Sequence, residues 1–186
     1  MNKIILASSS PRRKELLENA GIDFIVDASS IDEKMDETLP LLNRLKQLAK
    51  DKATPIHNKY PQDIVIGADT IVYYDSIVIG KPKDENDARR ILNMLSQHKH
   101  TVYTAVAIYI KDKLYSFVDQ TDVYFCNVSD MLDEYIQSQE WQGKAGAYAI
   151  QGKADCFIDH IDGDINTVIG LPVEKVIHIL KEENII

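Results

Sequence analysis

The stretch Lys3-Ile4-Ile5-Leu6-Ala7-Ser8-Ser9-Ser10-Pro11-Arg12-Arg13-Lys14-Glu15-Leu16-Leu17 decides the fold class. A short apolar run reads as a buried strand. Three hydroxyls follow, and then a proline opens a helix with two arginines in its first turn. Strand, tight connection and helix make the opening unit of an α/β sheet. Ser10 suits the N-cap, and Pro11 suits the first helical position, where no amide hydrogen is needed. A helix start offers unpaired amide hydrogens and a partial positive charge, which favour an anion such as phosphate. Arg12 and Arg13 can fork onto its oxygens. Taken alone, the same residues also describe an ordinary capped helix with surface arginines.

The rest of the chain extends this unit. Leu16, Leu17 and Ala20 share one face of a helix over Pro11–Ala20, and Gly21 stands just past its end. Ile22–Val26 reads as a second strand, followed by an acidic loop, Asp27–Asp36, and a helix, Leu39–Ala53. Pro55–Gln62 is expected as a connector. Asp63–Ala68 is a strongly apolar strand, and Ile71–Tyr74 with Ile77–Gly80 reads as a hairpin about Asp75-Ser76. Asp84–Leu95 has helical spacing. Thr101–Lys111 and Leu114–Phe125 read as a second hairpin. Ser129 is the expected cap of a helix, Asp130–Ser138. Strands are expected at Ala147–Gln151 and Cys156–Ile161, and a closing helix at Pro172–Lys181. The hairpins make the sheet mixed rather than purely parallel.

Composition narrows the function. The chain has 186 residues, 45% of them hydrophobic, enough for one large domain or two lobes sharing a core. A formal charge of −8 argues against non-specific binding to nucleic acid or a membrane surface. An anionic ligand then needs a local basic pocket or a metal ion. The two cysteines, Cys126 and Cys156, make neither a disulfide scaffold nor a closed zinc site. The start reads as no signal peptide, and no run reaches the length of a membrane span, so a cytoplasmic setting is expected.

Several runs could carry chemistry. Gly67-Ala68-Asp69-Thr70 sets a carboxylate at the expected end of a hydrophobic strand, where ligands gather in open α/β sheets. Asp69 could hold a hard cation or take a proton from water; an Asx turn between two strands is the other reading. Lys81, in Gly80-Lys81-Pro82, could meet a phosphate or simply end a strand. Lys52 lies among Lys46, Lys50 and Asp51, a pattern that by itself is a solvated helix face. In Lys144-Ala145-Gly146-Ala147-Tyr148-Ala149-Ile150-Gln151-Gly152 the glycines permit close approach to a ligand. Gln151 there offers a donor and an acceptor on one amide, the pair needed to read a base edge. The five histidines are scattered, and His98 and His100 are expected in surface or capping roles in a helix-to-strand turn. The chain has no GxxxxGK[ST], GxGxxG or GxSxG motif.

Taken in order, Leu6 to Arg13, Ala68-Asp69-Thr70, Gly80-Lys81-Pro82, Lys144 to Gly152 and Gly170-Leu171-Pro172 closely resemble the Maf family, over nearly the whole chain. Leu48-Ala49 with Lys52-Ala53, and Leu95-Ser96 with His100, Val102 and Thr104, fit as well. Gln47, Gln97, Gln139, Trp141 and Gly143 depart from the usual pattern. The resemblance implies a mixed α/β fold similar to inosine triphosphatases. It implies one domain over residues 1–186, a twisted sheet flanked by helices, with two lobes sharing that sheet around a central cleft. It also implies a nucleoside triphosphate pyrophosphatase with a divalent metal, Mg²⁺ or Mn²⁺. Asp69 matches the family's proton acceptor. Arg12, Thr70 and Gln151 match the positions tied to substrate choice, with the residues of the branch acting on dTTP and UTP. On this basis Ser8, Ser10, Arg13, Lys52 and Lys81 are expected at the phosphates, Arg13 foremost among the arginines. Glu33 and Asp69 are expected at the metal. A homodimer is a further expectation. A nucleotide-binding regulator of septum formation, without essential catalysis, is the alternative.

Overall fold

A computed structural model describes residues 2–28, 30 and 38–186 of the chain. The opening strand is Ile4–Leu6 (β1), fully buried, and the helix after it is Pro11–Asn19 (α1). A two-residue strand, Ile25–Val26 (β2), pairs parallel with β1, and β1 pairs parallel with Ile64–Tyr74 (β3). Between β2 and β3 runs the longest helix, Leu41–Lys59 (α2). The chain continues through Ile77–Ile79 (β4), Glu85–Leu95 (α3), Lys99–Ile110 (β5) and Lys113–Phe125 (β6). Then follow Leu132–Gln137 (α4), Ile158–Asp162 (β7), Ile165–Ile169 (α5) and Val173–Glu182 (α6). Among the described residues seven strands form one sheet in the order β2-β1-β3-β5-β6-β7, with β4 antiparallel against the far end of β3. β7 pairs antiparallel with β6. Parallel at one end and antiparallel at the other, the sheet is mixed, as the hairpins in the sequence require.

By their contacts the residues divide into two compact units. One comprises Met1–Asp69, Thr104–Asp119 and Gly170–Ile186; the other comprises Thr70–Tyr103 and Gln120–Ile169. Three of the four divisions fall inside β3, β5 and β6, and the fourth follows α5. The first unit has its core in Ile5, Leu6, Leu17, Leu45, Ile64, Ile66 and Leu180, with the inner residues of β5. The second is built on Leu92, Leu95, Val102, Tyr135 and Phe157.

Several elements differ from the sequence reading. β3 is continuous through Ala68, Asp69 and Thr70, so Asp69 stands inside a strand and not at its end or in an Asx turn. α2 does not stop at Ala53 but runs through Pro55. Proline in a helix interior forfeits one backbone bond. Here burial of Leu45, Leu48, Ala49, Ala53 and Ile56 along one face carries the helix across it. Ser129 caps nothing: α4 begins later, with Met131 at the N-cap position. Ala147–Gln151 is not a strand but a series of turns around a single short 3₁₀ turn, Ala145–Ala147. Gly146 and Ala147 both have positive φ, 71° and 62°, and two successive left-handed residues break an extended chain. A second 3₁₀ turn, Lys153–Phe157, takes the start of the strand expected from Cys156.

Candidate active site

The first unit gathers most of the expected anion-binding and catalytic residues, and a missing side chain sets their spacing. Gly67 lies on β3 directly beneath α2. A Cβ there would fall 2.6 Å from the Ala49 carbonyl oxygen and 2.8 Å from the Ala53 Cβ. Glycine therefore lets the helix settle onto the strand. Residues two apart on a strand face the same way, so Asp69 points to the same side as Gly67. Lys52 comes down from α2 to meet it, with Nζ 2.5 Å from Asp69 Oδ1. Asp69 is 8% exposed, and both side chains are largely withdrawn from water. Lys52 is thus not part of a solvated charge surface, the reading its neighbours suggested.

The connection after β1 lies beside this pair. Leu6 is in register with Ile66, and the Ala7 amide donates to the Ile66 carbonyl at 2.8 Å. Carried two residues on, that register brings Ser8 level with Ala68. Ser8 is buried and its hydroxyl organises the turn: it accepts from the Ser10 amide at 3.3 Å and from Arg13 Nη1 at 3.1 Å. Ser10 occupies the N-cap position, but its hydroxyl makes no capping bond, contrary to the sequence reading. Its carbonyl accepts the first helical bond, from the Lys14 amide.

The two arginines differ in their surroundings. Arg13 is 9% exposed and tied down: Nε donates 2.8 Å to the Gly170 carbonyl and Nη1 to Ser8. It ties the turn after β1 to the Gly170-Leu171-Pro172 segment, a partner that sequence spacing did not reveal. Arg12 is half-buried, and its Nε is shut off from solvent with no hydrogen-bond partner among the described residues. Burial lowers the proton affinity of this guanidinium. A desolvated donor of this kind is costly unless something accepts from it.

The second unit carries Thr70, Lys81 and Gln151. Thr70 follows Asp69 on β3 and is half-buried; Lys81 and Gln151 are exposed. The Gly146 amide donates to the Gly80 carbonyl at 3.1 Å, so the turn holding Gln151 and the segment holding Lys81 are joined through the backbone. His100, expected at the surface, is instead buried on β5 at 1% exposure.

The profile of the Maf-like protein family matches residues 3–183. The chain belongs to the Maf family. A dTTP/UTP pyrophosphatase of Bacillus cereus (strain ZK / E33L) is 45% identical over all 186 residues, which cover 97% of that protein. A dTTP/UTP pyrophosphatase of Bacillus thuringiensis subsp. konkukian is 44% identical with the same coverage. A HAM1 protein from Coxiella burnetii aligns over 98% of this chain and all of its own at 14% identity and a TM-score of 0.48, too distant to add to the family assignment.

The resemblance read from the sequence leads to the expectation of a divalent cation at this site. Among the described residues no group of three or more His, Cys, Asp or Glu side chains is placed to hold one. Mg²⁺ commonly takes only one or two carboxylates and completes its shell with water and substrate phosphates. Asp69 fits that mode as a single carboxylate beside a phosphate-type turn. Glu33, the other expected ligand, lies outside the described residues, with Asp32, Asp36 and Glu37.

Proposed function

We propose that this Maf-family chain hydrolyses dTTP and UTP to the nucleoside monophosphate and pyrophosphate. One observation supports the reading above others. A buried aspartate within a strand is held by a half-buried lysine from the helix above it, in a chain 45% identical along its whole length to a dTTP/UTP pyrophosphatase. In the proposed reaction the oxygen of a water molecule bonds to the α-phosphorus. The bridging bond to the β-phosphate breaks, and pyrophosphate leaves with the electron pair. The water gives its proton to Asp69, which Lys52 orients through Oδ1, leaving Oδ2 for the reacting water or a cation. Arg12 receives charge on the phosphates, and the Ser8–Arg13–Gly170 contacts keep the turn in shape for it. Lys81 adds positive charge. Gln151, with Thr70, reads the O4 and N3–H edge of uracil or thymine, since one amide provides the matching donor and acceptor. A divalent cation, when bound, supplies neutralisation of the triphosphate charge.

A regulator that only binds nucleotide gives no reason to bury a carboxylate against a lysine at such a site. We propose a cytoplasmic setting, in keeping with two cysteines present as free thiols. Incubation with a panel of nucleoside triphosphates and Mg²⁺ or Mn²⁺ tests the reading. Pyrophosphate is expected from UTP and dTTP in preference to GTP. Orthophosphate as the sole inorganic product would reject it.

A further inference from the structure

His100 enters no step above, yet it is among the most buried polar side chains of the second unit. Its Nε2 lies 2.7 Å from the hydroxyl of Tyr148, itself 5% exposed and three residues before Gln151. Its Nδ1 is buried without a partner among the described residues. The two rings meet edge to face, and each also packs edge to face on Phe125 with centroids 4.9 Å apart. The Tyr148 ring in turn lies under Gly146, where a Cβ would meet its carbons at 3.2 and 3.3 Å.

The segment that this pair supports lies outside the sheet. Lys144–Gly152 belongs to no ladder, and its own backbone bonds are turns, Ala147 to Lys144 and Gly152 to Ala149. Side chains must therefore set its shape. Tyr135 donates its hydroxyl to the Ala147 carbonyl, and Glu140 accepts from the Lys153 amide at 2.8 Å. Between those two ends, Tyr148 is the anchor nearest the middle. Through Gly146 the same anchor reaches Gly80, the residue before Lys81.

We infer that His100 and Tyr148 are a positioning pair that fixes the Gln151 turn and so sets the discrimination of pyrimidine from purine nucleotides. The inference rests on the proposed role of Gln151. A ring nitrogen–hydroxyl bond in a dry site fixes the tyrosine at one height. Without it the aromatic packing remains, but the turn loses its polar register and Gln151 loses its fixed angle.

Tyr148→Phe deletes one oxygen and keeps the ring, so it is the first variant to test, at a temperature well below its unfolding midpoint. The KM for UTP is expected to rise about tenfold, the scale of one lost buried hydrogen bond, with kcat within about twofold. The UTP-to-GTP ratio of kcat/KM falls accordingly. His100→Leu is expected to do the same, and His100→Gln, whose amide can reach the tyrosine hydroxyl, to recover the ratio. Backbone hydrogen exchange across residues 144–152 gives a readout independent of turnover, and it is expected to quicken in Tyr148→Phe and His100→Leu. A folded Tyr148→Phe protein with unchanged exchange in this segment, or with unchanged UTP KM and UTP-to-GTP ratio, overturns the pair's role. Failure of the wild-type protein to release pyrophosphate from UTP contradicts the proposed function instead, and the exchange result then decides the positioning claim alone.

Discussion

At the scale of single residues, the site rests on Asp69 and on the two groups that set its surroundings, Lys52 and Gly67. Asp69→Asn keeps the shape of the side chain and its contact with Lys52 while removing the basic carboxylate. Turnover of UTP is expected to fall by about 10²–10⁴-fold, the usual worth of a general base, in a protein that still folds but is less stable because Lys52 loses its counter-charge. Steady-state rates and a denaturant melt on the same preparation check it, and near-normal turnover would remove Asp69 from the role. The sequence named these residues without their contacts. Arg12 and Arg13 are adjacent and chemically identical, so only the Gly170 carbonyl and the Ser8 hydroxyl, far along the chain or folded back upon it, show that Arg13 is the pinned one. Gly67 was legible as a glycine in a strand and nothing more. Its meaning needs α2 lying across it.

At the scale of elements, the close seat of α2 on β3 is the feature most exposed to mutation. Gly67→Ala would drive a methyl to within 2.6 Å of the Ala49 carbonyl, backbone that has no room to yield locally. Overpacking of this kind costs about 1–3 kcal/mol. The free energy of unfolding is expected to drop by that amount, read as a lower denaturant midpoint at an unchanged slope, and UTP turnover to fall as Lys52 is lifted from Asp69. A variant as stable and active as the wild type would show that the seat is not tight. Helical spacing made α3 legible, and apolar runs made β1, β5 and β6 so. The length of α2 was not, because Pro55 reads as a stop and only tertiary burial carries the helix past it. The Lys144–Gly152 run misleads in the opposite sense. Tyr148 and Ile150 are buried while Ala149 and Gln151 are less so, the alternation of a strand, but positive φ at Gly146 and Ala147 keeps that run out of any ladder.

At the scale of the whole molecule, the family and the mixed sheet were readable from ordered motifs, whereas the buried state of His100 was not. A histidine between a helix and a strand is as often exposed as covered until the neighbouring aromatics are known. Its burial has a consequence for stability. Desolvation holds the His100 pKa down at about 4 against an ordinary 6.5, with Asp122 pulling weakly the other way. The unfolded chain therefore takes up a proton as pH drops through 6.5, while the folded protein resists until about 4. Stability is complete above pH 6.5 and declines down to about pH 4, by up to about 3 kcal/mol from this group. Denaturant midpoints at pH 7 and pH 5 are expected to differ less in His100→Gln than in the wild type. Equal differences in the two proteins would contradict the buried, neutral imidazole.

The reaction itself is tested most directly by hydrolysing UTP in water labelled with heavy oxygen and weighing both products. Attack at the α-phosphorus predicts the label in the uridine monophosphate and none in the pyrophosphate. Label in the pyrophosphate would place the attack at the β-phosphorus and contradict the account.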